Sequence, residues 1–256
     1  MAGTVTSGLE HLRVVLVDAR NPLNIGAAAR AMSNFGARRL RVVNPYGVAF
    51  REARSAMGAA KLLADAEEYN TVAKAVADCS LVVGTTAAGH RDLQHPLRTL
   101  SDGARLIRNS LPSCKVALLF GSERFGLSNQ DLSHCHWLMT VPTRTEHSSM
   151  NLGQAVAVCM YEIARSRKTP PIVEKKPKKR QARAEEVERI TTLLLEALRI
   201  SGYVQPRTTE AAEEKLRRLI RRLQIEQPDA AILQGMLRQI NWKLGNLDPQ
   251  KERKSR

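Results

Sequence analysis

Five short apolar runs, at residues 13–17, 39–43, 81–84, 115–120 and 137–141, are each separated from the next by enough chain to hold a helix. That alternation leaves few folds open. Strands joined by helical crossovers pair in parallel, and a parallel sheet must be covered by helices on both faces. The predicted helices span 24–35, 52–64, 71–78, 100–108 and 151–167. Asn24 caps the first and Gly36 ends it, with Ile25, Ala28, Met32 and Phe35 on one face. In the last, Leu152, Ala155, Val156, Cys159 and Ile163 point inward. Ligands bind such sheets beyond the carboxyl ends of the strands. The loops at 18–26, 84–91, 121–126 and 142–150 all follow strands, so they should share that edge and form one site.

The chain changes character after residue 168. Residues 169–183 include Thr169-Pro170-Pro171 and the run Lys175-Lys176-Pro177-Lys178-Lys179-Arg180, which cannot hold a core and predict a basic, mobile linker. Residues 184–256 follow as a helical extension, with helices at 184–201, 209–224 and 229–244; Gly202 stops the first. In the second, Leu216, Leu219, Ile220 and Leu223 form an apolar stripe. Arg217, Arg218, Arg221 and Arg222 form an opposing basic face suited to phosphates.

Charge points the same way. The net charge is +15 and the pI about 10.2, which implies a polyanionic partner. Residues 171–256 carry 20 Lys and Arg against 12 Asp and Glu, compared with 20 against 13 in the twice-longer part before them. No apolar run approaches 20 residues and the N-terminus lacks a signal pattern, so a cytoplasmic protein without a membrane anchor is expected. Cys79, Cys114, Cys135 and Cys159 show no paired spacing and read as reduced core residues. His134-Cys135-His136 is no metal site by spacing, because adjacent strand residues face opposite ways.

The remaining motifs exclude as much as they suggest. Gly121-Ser122-Glu123-Arg124-Phe125-Gly126 lacks the third glycine and following acidic residue of a dinucleotide fingerprint, and no Gly-Lys-Ser/Thr phosphate loop occurs. Its glycines permit close backbone approach to a ligand, and Glu123 and Arg124 could pair to shape the turn. His147-Ser148 are neighbours that cannot align as base and nucleophile. Ser148 and Ser149 read instead as donors at a helix N-terminus. Arg30, alone among small alanines, reads as solvent-facing.

Taken together, three motifs carry a resemblance: Asn24-x-Gly26-x-x-x-Arg30, Phe120-Gly121-x-Glu123-x-x-Gly126-Leu127 and Ser148-Ser149-x-Asn151-Leu152. They resemble, in order and spacing, those of the SpoU branch of the SPOUT RNA methyltransferases, over residues 12–167. The tail segments Lys215-Leu216-Arg217-Arg218-Leu219 and Ile232-Leu233-x-Gly235-Met236-Leu237 resemble the helical extension of a subgroup that methylates the ribose 2′-hydroxyl of tRNA nucleotide 32. The resemblance implies an α/β domain at 1–168 ending in a trefoil knot, a homodimer, tRNA as partner and S-adenosylmethionine as methyl donor. It assigns cofactor contacts to Thr85, Thr86, Ala87, Gly121, Val141, Ser148, Ser149 and Met150. Catalysis falls to Arg30 and Ser149, with Asn24 and Asn151 shaping the site, and Arg91 is a candidate for RNA. The same fold acting on ribosomal RNA or another tRNA position, or an inactive RNA-binding protein, remain the alternatives.

Overall fold

The computed structural model describes residues 8–47, 58–87, 94–144, 149–165 and 180–246. Seven strands form one parallel sheet: β1 (Leu12–Val17), β2 (Leu40–Val43), β3 (Glu67–Tyr69), β4 (Leu81–Thr85), β5 (Leu97–Thr99), β6 (Val116–Phe120) and β7 (Trp137–Thr140). Their order is β3-β2-β1-β6-β4-β7-β5. The five expected strands make the middle of the sheet. The two short edge strands, β3 and β5, escape the sequence because both are polar and neither is buried.

Alternation along each buried strand assigns its side chains to two cores. Val14 and Leu16 of β1 and Leu118 and Phe120 of β6 pack under helices α1 (Pro22–Asn34), α4 (Leu100–Ser110) and α6 (Leu152–Ala164). Val15 and Val17, with Ala117 and Leu119, pack on the other face under α3 (Val72–Ala75) and Leu132 of α5 (Asn129–Ser133). Only the end of the helix expected at 52–64 lies within the described residues, as α2 (Ala60–Ala64).

The first helix begins earlier than expected, and this corrects Asn24 as its cap. Asn21 is the cap, its side chain accepting from the Leu23 amide at 2.9 Å, and Pro22 occupies the first turn, where a missing N–H costs nothing. Asn24 is thereby free to point elsewhere. Asn151 caps α6, accepting from the amides of Gly153 (2.9 Å) and Gln154 (3.3 Å). The two helices touch where a Cβ on Gly153 would stand 2.6 Å from that of Ala27. Glycine there sets the approach of α1 to α6.

The tail contributes α7 (Ala184–Ile200), α8 (Thr209–Arg222) and α9 (Gln227–Gly245) around Val187, Ile190, Ile220, Ile225 and Ala230. Gly202, at φ +78°, ends α7. Of the stretch expected as a linker, 180–183 is described, and it is held in place. The Ala182 amide donates to Ile225 (2.9 Å), and the Ala184 and Glu185 amides donate to Cys79 (2.7 Å) and Ala77 (3.0 Å) of the α/β domain.

The basic face expected on α8 is turned inward. Arg217 and Arg221 are 5% and 2% exposed, whereas Leu219 and Leu223, expected in the apolar stripe, are 43% and 59% exposed. The cause is Glu188 on α7. Arg217 donates to both of its carboxylate oxygens at 3.0 Å, and Arg221 approaches it at 3.5 Å. Arg217 also bonds Glu213 and donates to the Ser133 hydroxyl of α5 at 3.0 Å. Arg218 is half-buried beside Glu214, and Arg222 alone of the four is exposed. Arg217 therefore clasps the tail to the α/β domain through Ser133, Arg221 joins α8 to Glu188 and the Ala184 carbonyl of α7 (3.4 Å), and neither presents charge to a polyanion.

Candidate active site

The loops after β4, β6 and β7 converge on a cavity of about 390 Å³, within the range of about 300–1,000 Å³ usual for small-ligand sites. Thr85, Thr86 and Ala87 form one wall, Gly121 to Gly126 a second, and Val141, Thr143, Ser149 and Met150 a third. Leu127, Leu132, Met139 and Leu152 supply the apolar floor. Thr85 is fixed by its hydroxyl donating to the Leu119 carbonyl (2.8 Å), and Thr86 by its amide donating to the Met139 carbonyl (3.0 Å). Every expected cofactor contact within the described residues lines this cavity. Ser148 lies outside those residues, as does Arg91.

Gly121 is needed for a different reason from the one its motif suggests. A Cβ there would lie 2.0 Å from the Gly126 carbonyl carbon and 2.1 Å from the Leu127 amide. The close approach is that of the loop to itself, closed by the Gly126 amide donating to the Ser122 carbonyl (2.9 Å) with Gly126 at φ +67°. The ligand therefore meets a loop of set shape.

Glu123 does not pair with Arg124, whose guanidinium lies 4.9 Å over the Phe125 ring. Its carboxylate instead accepts from the amides of Arg20 and Asn21 (3.2 Å each) and from the Asn24 side chain (3.1 Å). Burial pushes this carboxyl up, but hydrogen bonds from its own amide, Asn24, Arg20 and Asn21 outweigh that and hold it below the ordinary glutamate value. Asn24 in turn accepts from Asn151 Nδ2 at 2.7 Å. One relay, Glu123–Asn24–Asn151, thus ties the second motif to the first and the first to the third. Sequence reading missed Glu123 as its anchor, although the residue stands inside the motif.

Arg30 stands on α1 six residues beyond Asn24, about 9 Å along the axis. It is exposed and does not line the cavity. Ser149, also exposed, does line it.

The donor set indicates what the cavity can hold. Glu123 and Arg124 are its only charged residues among those described, and Glu123 is already engaged. Such a lining offers no cluster of cations for a pyrophosphate, but its apolar floor and backbone groups fit a nucleoside that carries no phosphate. S-Adenosylmethionine meets that description. His134, Cys135 and His136 lie elsewhere: His134 faces Glu188 at 3.7 Å, and His136 Nδ1 accepts from the Val82 amide at 3.1 Å.

A parallel α/β sheet with a nucleoside-sized cavity at its carboxyl edge and a polar relay joining three loops defines a class of small-ligand enzyme domain. The chain belongs to the SpoU rRNA methylase family, whose profile matches residues 11–161. It is 35% identical over 239 residues to the tRNA (cytidine/uridine-2′-O-)-methyltransferase TrmJ of Yersinia enterocolitica, covering 91% of this chain and 92% of that one. The TrmJ of Klebsiella pneumoniae is 34% identical over 246 residues, covering 91% and 97%. The crystal structure of TrmJ from Z. mobilis ZM4 superposes with a TM-score of 0.76 at 32% identity, covering 89% of this chain and 98% of that one. Among the described residues, no helix is long and apolar enough to cross a membrane.

Proposed function

We propose that this chain transfers the methyl group of S-adenosylmethionine to the ribose 2′-hydroxyl of nucleotide 32, cytidine or uridine, in the anticodon loop of tRNA. The observation that carries the reading is the cavity where three separate turns meet at the carboxyl edge of the sheet. Relatives named for tRNA methylation match nearly the whole chain, tail included, which favours tRNA over ribosomal RNA. The choice of nucleotide 32 rests on the sequence resemblance.

When bound, S-adenosylmethionine supplies an electrophilic methyl group on a sulfonium. Thr85, Thr86, Ala87, Gly121, Val141, Ser148, Ser149 and Met150 would hold it, over the apolar floor of Leu127, Leu132, Met139 and Leu152. The chain's remaining task is to place a 2′-oxygen in line with that methyl, so that the new carbon–oxygen bond forms as the methyl's bond to sulfur breaks and the hydroxyl proton is released to solvent at the exposed side of the site. Ser149, exposed in the cavity lining, bonds the hydroxyl. A guanidinium scarcely deprotonates, so Arg30 acts by gripping the adjacent phosphate and stabilising the developing alkoxide with its planar fork. Glu123, Asn24 and Asn151 are positioning residues that fix the bearing of α1 on the cavity.

The chain from β6 to α6 forms a trefoil knot in this reading, and the knot-bearing domains, residues 1–168, pair as a homodimer. Leu23, Phe125 and Tyr161, exposed at 80%, 68% and 53%, supply apolar surface for such pairing. Residues 184–256 extend the RNA-binding surface. Mapping ribose methylation in bulk tRNA after incubation with protein and labelled S-adenosylmethionine tests the function. Label at nucleotide 32 is expected. Label confined to ribosomal RNA, or tRNA binding without transfer, favours the alternatives.

A further inference from the structure

The burial of Arg217 and Arg221 leaves open where a polyanion is held. A second, larger cavity of about 710 Å³ opens at the opposite edge of the sheet, where Leu81 begins β4 and Trp137 begins β7. Its far wall is the tail. Residues 180–182 run antiparallel to 225–227, joined by a Gln181–Glu226 bridge and by the Gln227 amide donating to the Arg180 carbonyl (2.8 Å). Just beyond it, the Ala184 and Glu185 amides fasten the chain to Cys79 and Ala77 of the α/β domain. The groove is therefore shaped before any ligand arrives.

Its lining is rich in donors and short of free carboxylates. Arg98, Lys115, Arg180 and Arg183 line the groove with one carboxylate, Asp78, which is already held by Arg41 (2.5 Å) and Lys115 (2.9 Å), and Arg183 pairs with Glu185 (3.4 Å). Arg98 lies 5.7 Å over the Trp137 ring and, like Arg180, makes no ion pair among the described residues. Gln181, Gln224, Gln227 and Asn109 add neutral donors. At the floor, His136 Nδ1 accepts from the Val82 amide, so its ring proton sits on Nε2. Burial and the nearby Arg221 charge push His136 down to about 3, which keeps it neutral with that donor at any ordinary pH.

We infer that this groove binds the phosphodiester backbone of the RNA substrate away from the methylated nucleotide, with Arg98 and Arg180 as its phosphate contacts. The inference rests on the tRNA reading above and adds a second contact surface, formed jointly by sheet edge and tail. Arg98 and Arg180, which make no ion pair among the described residues, beside neutral amides suit phosphate and sugar contacts that position RNA without reading sequence.

The test compares the full chain with its Arg98→Ala/Arg180→Ala double variant, and with Arg38→Ala/Arg105→Ala, two exposed arginines of the α/β domain, as a charge-matched control outside the groove. Fluorescence anisotropy with unmodified tRNA is measured across a salt series. The groove variant should bind more weakly, with a log–log salt slope shallower by about 1.4 to 1.8, the value for two lost phosphate contacts. The control should bind like the parent. S-Adenosylmethionine affinity, thermal midpoint and kcat at saturating tRNA should be unchanged, so the loss appears in KM. An unchanged slope in the groove variant, or an equal change in the control, overturns the groove whether or not methyl transfer occurs. A parent that binds tRNA but transfers no methyl to it refutes the catalytic reading and leaves the groove to be scored on binding.

Discussion

Glu123 at the cavity rim and Glu188 at the tail junction both gather partners from distant parts of the chain, but their partners differ in kind. Glu123 accepts from two backbone amides and one side-chain amide, all neutral. Glu188 faces two arginines and a histidine in a buried setting. Neutral donors around a partly exposed carboxylate give direction at small cost in desolvation. A buried ion cluster is costly to assemble and far more costly to break. The rim network therefore tunes geometry, and the clasp decides whether the tail stays docked.

Acid should separate the two regions most sharply. His134 is pushed down to about 3 by burial and by Arg217, and His136 to about 3 by burial and by Arg221. Below their ordinary value near 6.5 the unfolded chain takes up protons that the folded chain refuses. Stability is thus lost as pH falls from about 6.5 towards 3, these two histidines giving a slope approaching two protons, or about 3 kcal/mol per pH unit. His95, pushed down to about 4 chiefly by burial, adds a third proton. The lowered Glu123 carboxyl contributes stability that is lost only as pH falls below about 4.5. Urea unfolding at pH 7.0, 6.0 and 5.0 checks this; a flat profile over that range contradicts the buried, neutral histidines.

Glu188→Ala leaves Arg217 and Arg221 buried without their shared counter-charge and should cost about 3 kcal/mol, read as a lower urea midpoint. Glu123→Gln removes one charge from a partly exposed site and should cost about 1 kcal/mol or less in stability. It should lower methyl transfer about tenfold by loosening α1, with cofactor affinity unchanged. Equal stability losses in the two variants would erase the distinction. The smallest effect is expected from Arg221→Met. Arg221 Nε and Nη1 have no hydrogen-bond partner among the described residues and Arg217 still neutralises Glu188, so an apolar replacement should stay within about 1 kcal/mol of the parent.

These two regions also mark the limits of what the sequence revealed. The sheet and its carboxyl edge were legible because five apolar runs are continuous and their loops carry Asn, Ser and Gly. The rim was legible as motifs but not as a relay. Asn21 and Asn24 both suit a helix cap, and the choice turned on Pro22, which suits the first turn. The clasp was misread for a deeper reason. A helix with leucines on one side and arginines on the other does not declare which side meets the domain, and the deciding partner, Glu188, lies 29 residues from Arg217. Periodicity reports faces; only the partner sets their orientation.

The division between the cofactor cavity and an exposed Arg30 outside its lining is tested by one paired measurement on Arg30→Ala: calorimetric binding of S-adenosylmethionine, and single-turnover methyl transfer to tRNA. The account predicts unchanged cofactor affinity and transfer slowed at least about 100-fold. Parallel loss of cofactor binding, or transfer at the parent rate, contradicts it.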